Sequence, residues 1–366
     1  MRKPPRPSSL EDEMLQYPTV REARLYEKLS AQKVRCHLCE RRCLIAPRGK
    51  GFCKTRMNLD GTLYTLVYGD ISGAESRPIE IKPFFHYWPG STAFTFSTWS
   101  CNFRCPWCQN FSLSRGKPQL ASARYISPET MVEMALNHGD KGICVSFNEP
   151  TLLFEYSCDV FKISRGMGLY NCYVSNGYLS LEAMHMLFES GMDAIKIDLK
   201  GDARVYREYC GNLDVEIVWR NAKEAKKMGL HVEVVNLVIT GVNDSQECLR
   251  WVIERHLREV GRETPLHFTR YYPAYKFDNP PTSVKTLEAA YQMAVRAGVL
   301  FPYLGNVAGH KHEDTYCPSC GKLLIRRLAY TIVEYKITAD KKCSNCGWHI
   351  PIVGEYTSES MISKST

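Results

Sequence analysis

The chain has 366 residues, 44% of them hydrophobic and 23% charged, with a formal net charge of +8. That length suits a barrel-sized unit with appendages, no apolar run is long enough to span a bilayer, and the composition is that of a folded protein. A charge this modest, without a long run of lysine or arginine, speaks against nucleic acid as a partner.

The start, Met1-Arg2-Lys3-Pro4-Pro5-Arg6-Pro7, is basic but carries no apolar segment behind it. No secretory signal is therefore expected, and the expected setting is cytoplasmic, with no membrane partner. Sixteen cysteines in such a setting suit metals rather than disulfides. Five of them, Cys144, Cys158, Cys172, Cys210 and Cys248, are scattered and read as small buried hydrophobes. The rest fall into three groups.

Residues 1–30 read as a proline-rich tail followed by a polar helix at 20–29. Next come Cys36, Cys39, Cys43 and Cys53, a compact quartet that could bind structural zinc or an auxiliary iron–sulfur cluster, since spacing alone does not separate the two metals. His37, inside the quartet, reads as an exposed side chain. Asn58-Leu59-Asp60-Gly61 is a turn signal, and a strand is expected from 62 to 68, continuing toward Pro83. Residues 31–90 thus form a cysteine-rich cap.

From residue 91 to 305 strands alternate with helices. Strands are expected at 93–98, 142–147, 171–175, 194–199, 231–239, 265–271 and 299–303. Ser127-Pro128, and Ser180 with Glu182 behind it, are helix starts, while Gly168, Gly191, Gly229 and Gly298 are stops. Six or seven such repeats imply parallel strands rolled into a partial or full (β/α) barrel, with an open doubly wound sheet as the alternative. In a barrel, reactive groups collect where the strands end.

The first strand end carries Cys101-Asn102-Phe103-Arg104-Cys105-Pro106-Trp107-Cys108. Thiolates are the usual protein ligands of iron–sulfur clusters, and three cysteines on a four-iron cube leave one iron open to a substrate or cofactor. A zinc knuckle lacking one ligand, or three core cysteines, are the competing readings. The second strand ends Asn148-Glu149-Pro150, where Glu149 is placed to meet an ammonium group. The third ends Ser175-Asn176-Gly177, offering a hydroxyl and an amide to a ribose or carboxylate, or simply making a turn.

On the fourth strand, alternation puts Ile195, Ile197 and Leu199 toward the helices and Lys196, Asp198 and Lys200 on the opposite face. Charges there require pairing or a ligand. His267 reads as an acid, a base or, more commonly, a hydrogen-bonded core histidine. Tyr272 and Tyr275 could line the mouth. Residues 306–354 form a last module before a tail at 355–366. Cys317, Cys320, Cys343 and Cys346 form two knuckles of a zinc ribbon, with rubredoxin-like iron as the rival. His310 and His312, just before it, sit in a connecting loop.

The cysteine spacing resembles the cluster loop of radical S-adenosylmethionine enzymes, in which the cofactor's amino and carboxylate groups chelate the open iron. Trp107 matches the aromatic residue usual there. Asn148-Glu149-Pro150 resembles the Gly-Gly-Glu motif of that family, which by resemblance makes Asn148 and Glu149 the holders of the cofactor's amino group. Asp198-Leu199-Lys200 resembles a sequence that lies near cofactor and substrate peptide in glycyl-radical-enzyme activases, and the turn 240–244 by resemblance lies near the adenine.

From about residue 33 to 354 the chain is similar to the radical enzyme of the AmmeMemoRadiSam system, a relative of pyruvate formate-lyase activating enzyme. The resemblance implies a [4Fe–4S] cluster and S-adenosylmethionine as cofactors and a low-potential electron donor of the ferredoxin or flavodoxin type as partner. The reaction it implies is reductive cleavage to a 5′-deoxyadenosyl radical that abstracts hydrogen from an unidentified substrate, with a protein among the candidates. Activation of a glycyl-radical enzyme is the alternative, qualified by the hundred residues before the loop and by the added ribbon. A non-catalytic zinc-binding adaptor is the second alternative.

Overall fold

The computed structural model describes residues 10–358; the proline-rich start and the last eight residues of the expected tail lie outside the described residues. Its body is an eight-stranded sheet whose spatial order follows the chain. The strands are β1 (Gly73–Pro78), β2 (Thr92–Ser97), β3 (Gly142–Val145), β4 (Tyr170–Ser175), β5 (Ala194–Leu199), β6 (His231–Val238), β7 (Leu266–Arg270) and β8 (Pro302–Gly305). From β2 to β8 every pairing is parallel, while β1 runs antiparallel to β2.

Helices follow the parallel strands and cover one face: α1 (Pro128–Asn137), α2 (Phe154–Gly166), α3 (Leu181–Glu189), α4 (Val215–Lys227), α5 (Gln246–Glu259) and α6 (Val284–Ala297). Parallel strands covered on both faces read as near-continuous apolar runs, and β3 is buried throughout. Ser127 and Ser180 cap α1 and α3 by accepting from Thr130 N and Ala183 N. Gly298 closes α6 at φ 100°, a left-handed position that glycine fills without a Cβ clash. Among the described residues no ladder joins β1 to β8, so the barrel is partial. No described helix is long and apolar enough to cross a membrane.

The amino-terminal region departs from expectation. Residues 20–29 are extended rather than helical: Arg21–Glu22 pairs with the strand Thr62–Thr65, and Tyr26–Lys28 with Val34–Cys36. Among the described residues the α-helix of this region is Leu10–Leu15, with a 3-10 turn at Ser30–Gln32. Helix propensities separate these residues by tenths of a kcal/mol each, less than two hydrogen-bonded ladders and the burial of Val20 and Ala23 supply. The strand expected to run from 62 toward Pro83 stops at Thr65. Extended chain resumes as β1, which belongs to the main sheet rather than to the cap hairpins.

The opposite end of the sheet is plugged. Glu233 on β6 accepts from the backbone N of His86 at 2.8 Å and lies 2.9 Å from His231 Nε2 and 2.7 Å from His267 Nε2. His267 is thus a core histidine. Arg327 of the terminal module donates to Phe85 O at 2.9 Å and lies over the Phe85 ring. This places the Arg327 side of the terminal module against the amino-terminal ends of the strands.

Burial pushes both His86 and His256 down to about 3, so each folds as a neutral ring. The unfolded chain, with an ordinary imidazole near 6.5, then binds more protons than the folded one. Their contribution is complete above about pH 6.5 and is lost as pH falls toward 3. Urea unfolding should therefore show stability declining between pH 6 and pH 5 by on the order of 1 kcal/mol per pH unit for each histidine. His256→Gln should flatten that slope, and a wild-type stability unchanged between pH 7 and pH 5 would contradict the assignment.

Candidate functional site

The loops at the carboxyl ends of the parallel strands enclose a cavity of about 540 Å³. Cys101, Cys105, Trp107 and Cys108 line it from the loop after β2, Asn148 and Glu149 from the end of β3, and Asn176 from the end of β4. Asp198 and Lys200 enter from β5. Of the residues expected at the cluster loop and the cofactor, Ser175 alone does not line it. It is buried behind Glu149, to which its hydroxyl donates at 2.8 Å.

Glu149 holds these ends together. Its carboxylate accepts from Thr151 N at 3.2 Å, Thr151 Oγ1 at 2.5 Å, Ser175 Oγ at 2.8 Å and Asn176 N at 2.9 Å. Burial pushes the Glu149 carboxyl up against the pull of these four donors. Asn176 in turn donates to Asn102 Oδ1 at 2.7 Å, inside the cysteine loop. Asn148 accepts from Thr98 N at 3.3 Å and donates to Ser100 O at 2.9 Å, fixing the chain just before Cys101. Ser100 and Phe147 hold left-handed φ of 73° and 70°, rare for residues with a Cβ and frequent where a functional loop is over-determined by its surroundings.

The β5 face is as alternation requires: Lys196, Asp198 and Lys200 line the cavity, while Ile195, Ile197 and Leu199 pack in the core. Lys196 is hydrogen-bonded to Asp198, and Lys200 Nζ lies 3.8 Å from its other oxygen. Burial alone would raise the Asp198 carboxyl, yet the two ammonium groups hold it below its ordinary value. Lys82, Arg77 and Arg270 add positive charge to the same cavity. Lys82 sits over the Phe147 ring at 3.9 Å and is pushed down by burial.

Trp107 packs edge-on against Phe277 and tilted against Tyr209, forming a wall that is also core. Tyr272 lines the mouth, joined by Tyr330 from the terminal module, while Tyr275 stacks on Phe111 beside it. His310 and His312 stay in a connecting turn: His310 lies 3.2 Å from Glu288, and His312 stacks on Tyr291. Half-buried His37 lies 2.7 Å from Arg42 Nη1.

Three further features escape a reading of the sequence. Lys82 comes from a short turn far ahead of the strand ends, with no motif around it. Asn102 lies inside the motif, and a polar residue between two thiols was its only signal. Cys210 is buried as expected, yet its Sγ is 3.9 Å from that of Cys105. The hydrogen bond that Cys105 Sγ makes with Cys210 brings the Cys105 thiol down to about 7 against burial, with help from Lys200 and Arg115.

The terminal quartet is compact. Cys317 and Cys346 sulfurs are 3.6 Å apart, those of Cys320 and Cys343 are 3.7 Å apart, and all four lie within 4.8 Å of one another. Such a group could hold a metal ion. Among the described residues it is the only set of three or more cysteine, histidine or carboxylate ligands so close together. The sulfurs of Cys101, Cys105 and Cys108 are not all within 4.8 Å of one another.

Residues 97–252 match the Radical SAM superfamily. An uncharacterized protein of Methanocaldococcus jannaschii is 41% identical over 336 residues, which cover 91% of this chain and 100% of that protein. A putative glycyl-radical enzyme activating enzyme of the same organism is 27% identical over 226 residues, 60% of this chain and 80% of that protein. A solved domain of pyruvate-formate lyase-activating enzyme from Bacteroides vulgatus superposes with a TM-score of 0.40 at 18% identity, covering 45% of this chain and 99% of that one.

Removing the Glu149 carboxylate leaves several buried donors without an acceptor. Glu149→Ala should cost about 3 kcal/mol of stability in urea unfolding of the metal-free chain, and Glu149→Gln clearly less. A loss under about 1 kcal/mol for the alanine variant would remove Glu149 from its role as the tie between strand ends.

Proposed function

We propose, from the premise that the chain belongs to the radical SAM superfamily and shares a family with the Methanocaldococcus protein, that it is a radical S-adenosylmethionine oxidoreductase. In this reading Cys101, Cys105 and Cys108 hold a [4Fe–4S] cluster whose fourth iron takes the methionyl end of the cofactor. Together the two groups supply, on one-electron reduction, a 5′-deoxyadenosyl radical for hydrogen abstraction from the substrate. The observation that carries the reading is the opening of three loop thiols and the polar strand ends into one cavity.

Each residue then has a task. Glu149, locked by four donors, presents a fixed anionic wall to the cofactor's ammonium group, and Asn148 keeps the cysteine loop seated by holding Thr98 and Ser100. Ser175 acts through Glu149, and Asn176 through Asn102. Lys200 places positive charge beside Cys105 and, with Lys196, fixes Asp198 at the cavity face turned to the cofactor and substrate. Trp107 excludes water from one side.

A low-potential donor of the ferredoxin or flavodoxin type supplies the electron. Half-exposed Tyr272 and the Phe111–Tyr275 stack give the mouth an aromatic rim that suits a protein substrate. The motifs Asn148-Glu149-Pro150 and Ser175-Asn176-Gly177-Tyr178, with the ribbon, support the AmmeMemoRadiSam assignment. Activation of a glycyl-radical enzyme is the second reading, favoured by the similarity to the putative activating enzyme. Sixteen cysteines, all free, suit a reducing compartment such as the cytoplasm. The terminal quartet takes zinc in this reading, because sulfurs about 2.3 Å from one tetrahedral ion stand about 3.8 Å apart.

The reading is tested by anaerobic reconstitution followed by dithionite and S-adenosylmethionine. Wild type should release 5′-deoxyadenosine and Cys105→Ala none; equal amounts from both would sink the assignment. Label transfer from deuterated candidate proteins into 5′-deoxyadenosine identifies the substrate. Zinc analysis should find one ion per chain that is lost in the Cys320→Ser, Cys346→Ser double variant.

A further inference from the structure

We propose that Cys36, Cys39, Cys43 and Cys53 bind a second [4Fe–4S] cluster rather than zinc, seated directly against the cysteine loop of the barrel. All four thiols line one small hollow in the cap. Cys36 ends the strand Val34–Cys36, and its backbone N donates to Cys43 O at 2.9 Å, closing the first three cysteines into a single loop. Cys53 comes from the tight turn in which Lys54 N donates to Gly51 O, facing them across the cavity.

The first argument is size, and the chain supplies its own ruler. Around one tetrahedral zinc four thiolates stand about 3.8 Å apart, which is the spacing at the terminal quartet. On a four-iron cube each thiolate sits on a different iron, so the sulfurs stand on the order of 6 Å apart. No three sulfurs of the cap quartet lie within 4.8 Å of one another, in contrast to the terminal quartet. The same holds of Cys101, Cys105 and Cys108.

The second argument is polar. Arg41, Arg56 and Asn102 line the cavity, and each has a buried nitrogen with no hydrogen-bond partner among the described residues: Nη2, Nε and Nδ2 respectively. Two of these side chains are otherwise engaged. Arg56 grips Glu155 through both terminal nitrogens, at 2.6 and 2.7 Å, and Arg41 Nε donates to Asn102 O at 2.5 Å. An unpaired buried donor costs about 1–3 kcal/mol, so three around one hollow call for acceptors inside it. A cluster presents inorganic sulfides to such donors in addition to its thiolates; a zinc ion enclosed by four thiolates presents nothing further.

The two cysteine sets are separated by one layer of side chains. The Phe52 ring lies between the guanidinium groups of Arg41, at 3.5 Å, and Arg104, at 4.2 Å. Arg104 also donates to Phe52 O in the cap and to Cys101 O in the barrel loop.

The test is iron, acid-labile sulfide and zinc content of the full-length chain after anaerobic reconstitution, with electron paramagnetic resonance of the reduced protein. Wild type should carry about eight iron and one zinc, and a variant with Cys101, Cys105 and Cys108 all changed to alanine about four iron with a reducible cluster signal. Cys36→Ser with Cys39→Ser should bring iron to about four without adding zinc. Wild type with about four iron and two zinc, and a triple variant with none, would overturn the proposal while leaving the catalytic loop's cluster standing. A triple variant that keeps all of the wild-type iron would support the cap cluster and count against the loop's cluster instead.

Discussion

A chain of hydrogen bonds fixes the position of everything that matters chemically in this molecule. It starts at the buried Glu149 carboxylate, passes through the backbone N and side-chain amide of Asn176 to Asn102 within the cysteine loop, and ends at Arg41 in the cap. Each member is at least partly removed from water, so each contact is stronger than its surface counterpart and more costly to leave unmade. Loops from three strand ends and a separate cap are thereby held in one register. The loop after β2 has little regular structure of its own and depends on this tie.

Much of the architecture was legible because parallel strands announce themselves. Residues such as Ile195, Ile197 and Leu199 alternate with Lys196, Asp198 and Lys200, and the period of two assigns the faces before any partner is known. Strand ends were legible because an apolar run that stops at Cys101, Glu149 or Ser175 changes chemistry abruptly. Residues 20–29 were misread because Arg, Glu, Ala, Leu and Lys favour a helix, while the strands they pair with lie elsewhere in the chain. Lys82, Cys210 and Arg41 share one difficulty. Their importance lies in what stands beside them in space, and each partner is many residues away.

The charged groups divide by depth. Near the mouth, Lys82, Lys196, Lys200, Arg77 and Arg270 outnumber Glu149 and Asp198, so the cavity is electropositive. At the opposite end Glu233 gathers His231, His267 and the His86 backbone into a satisfied network against which the ribbon's Arg327 packs. An open sheet needs such a plug. Without strand pairing between β1 and β8, residues from the turn after β1 and from the ribbon do what closure would otherwise do.

Tyr330 lies on the turn between two ribbon strands, Leu323–Leu328 and Thr331–Tyr335, and yet lines the cavity. Part of the doorway is thus built from a different stretch of polypeptide than the floor. Substitutions at Tyr330 disturb none of the hydrogen bonds that seat the cysteine loop. Descendants of such a chain are free to change what they admit while inheriting the chemistry intact.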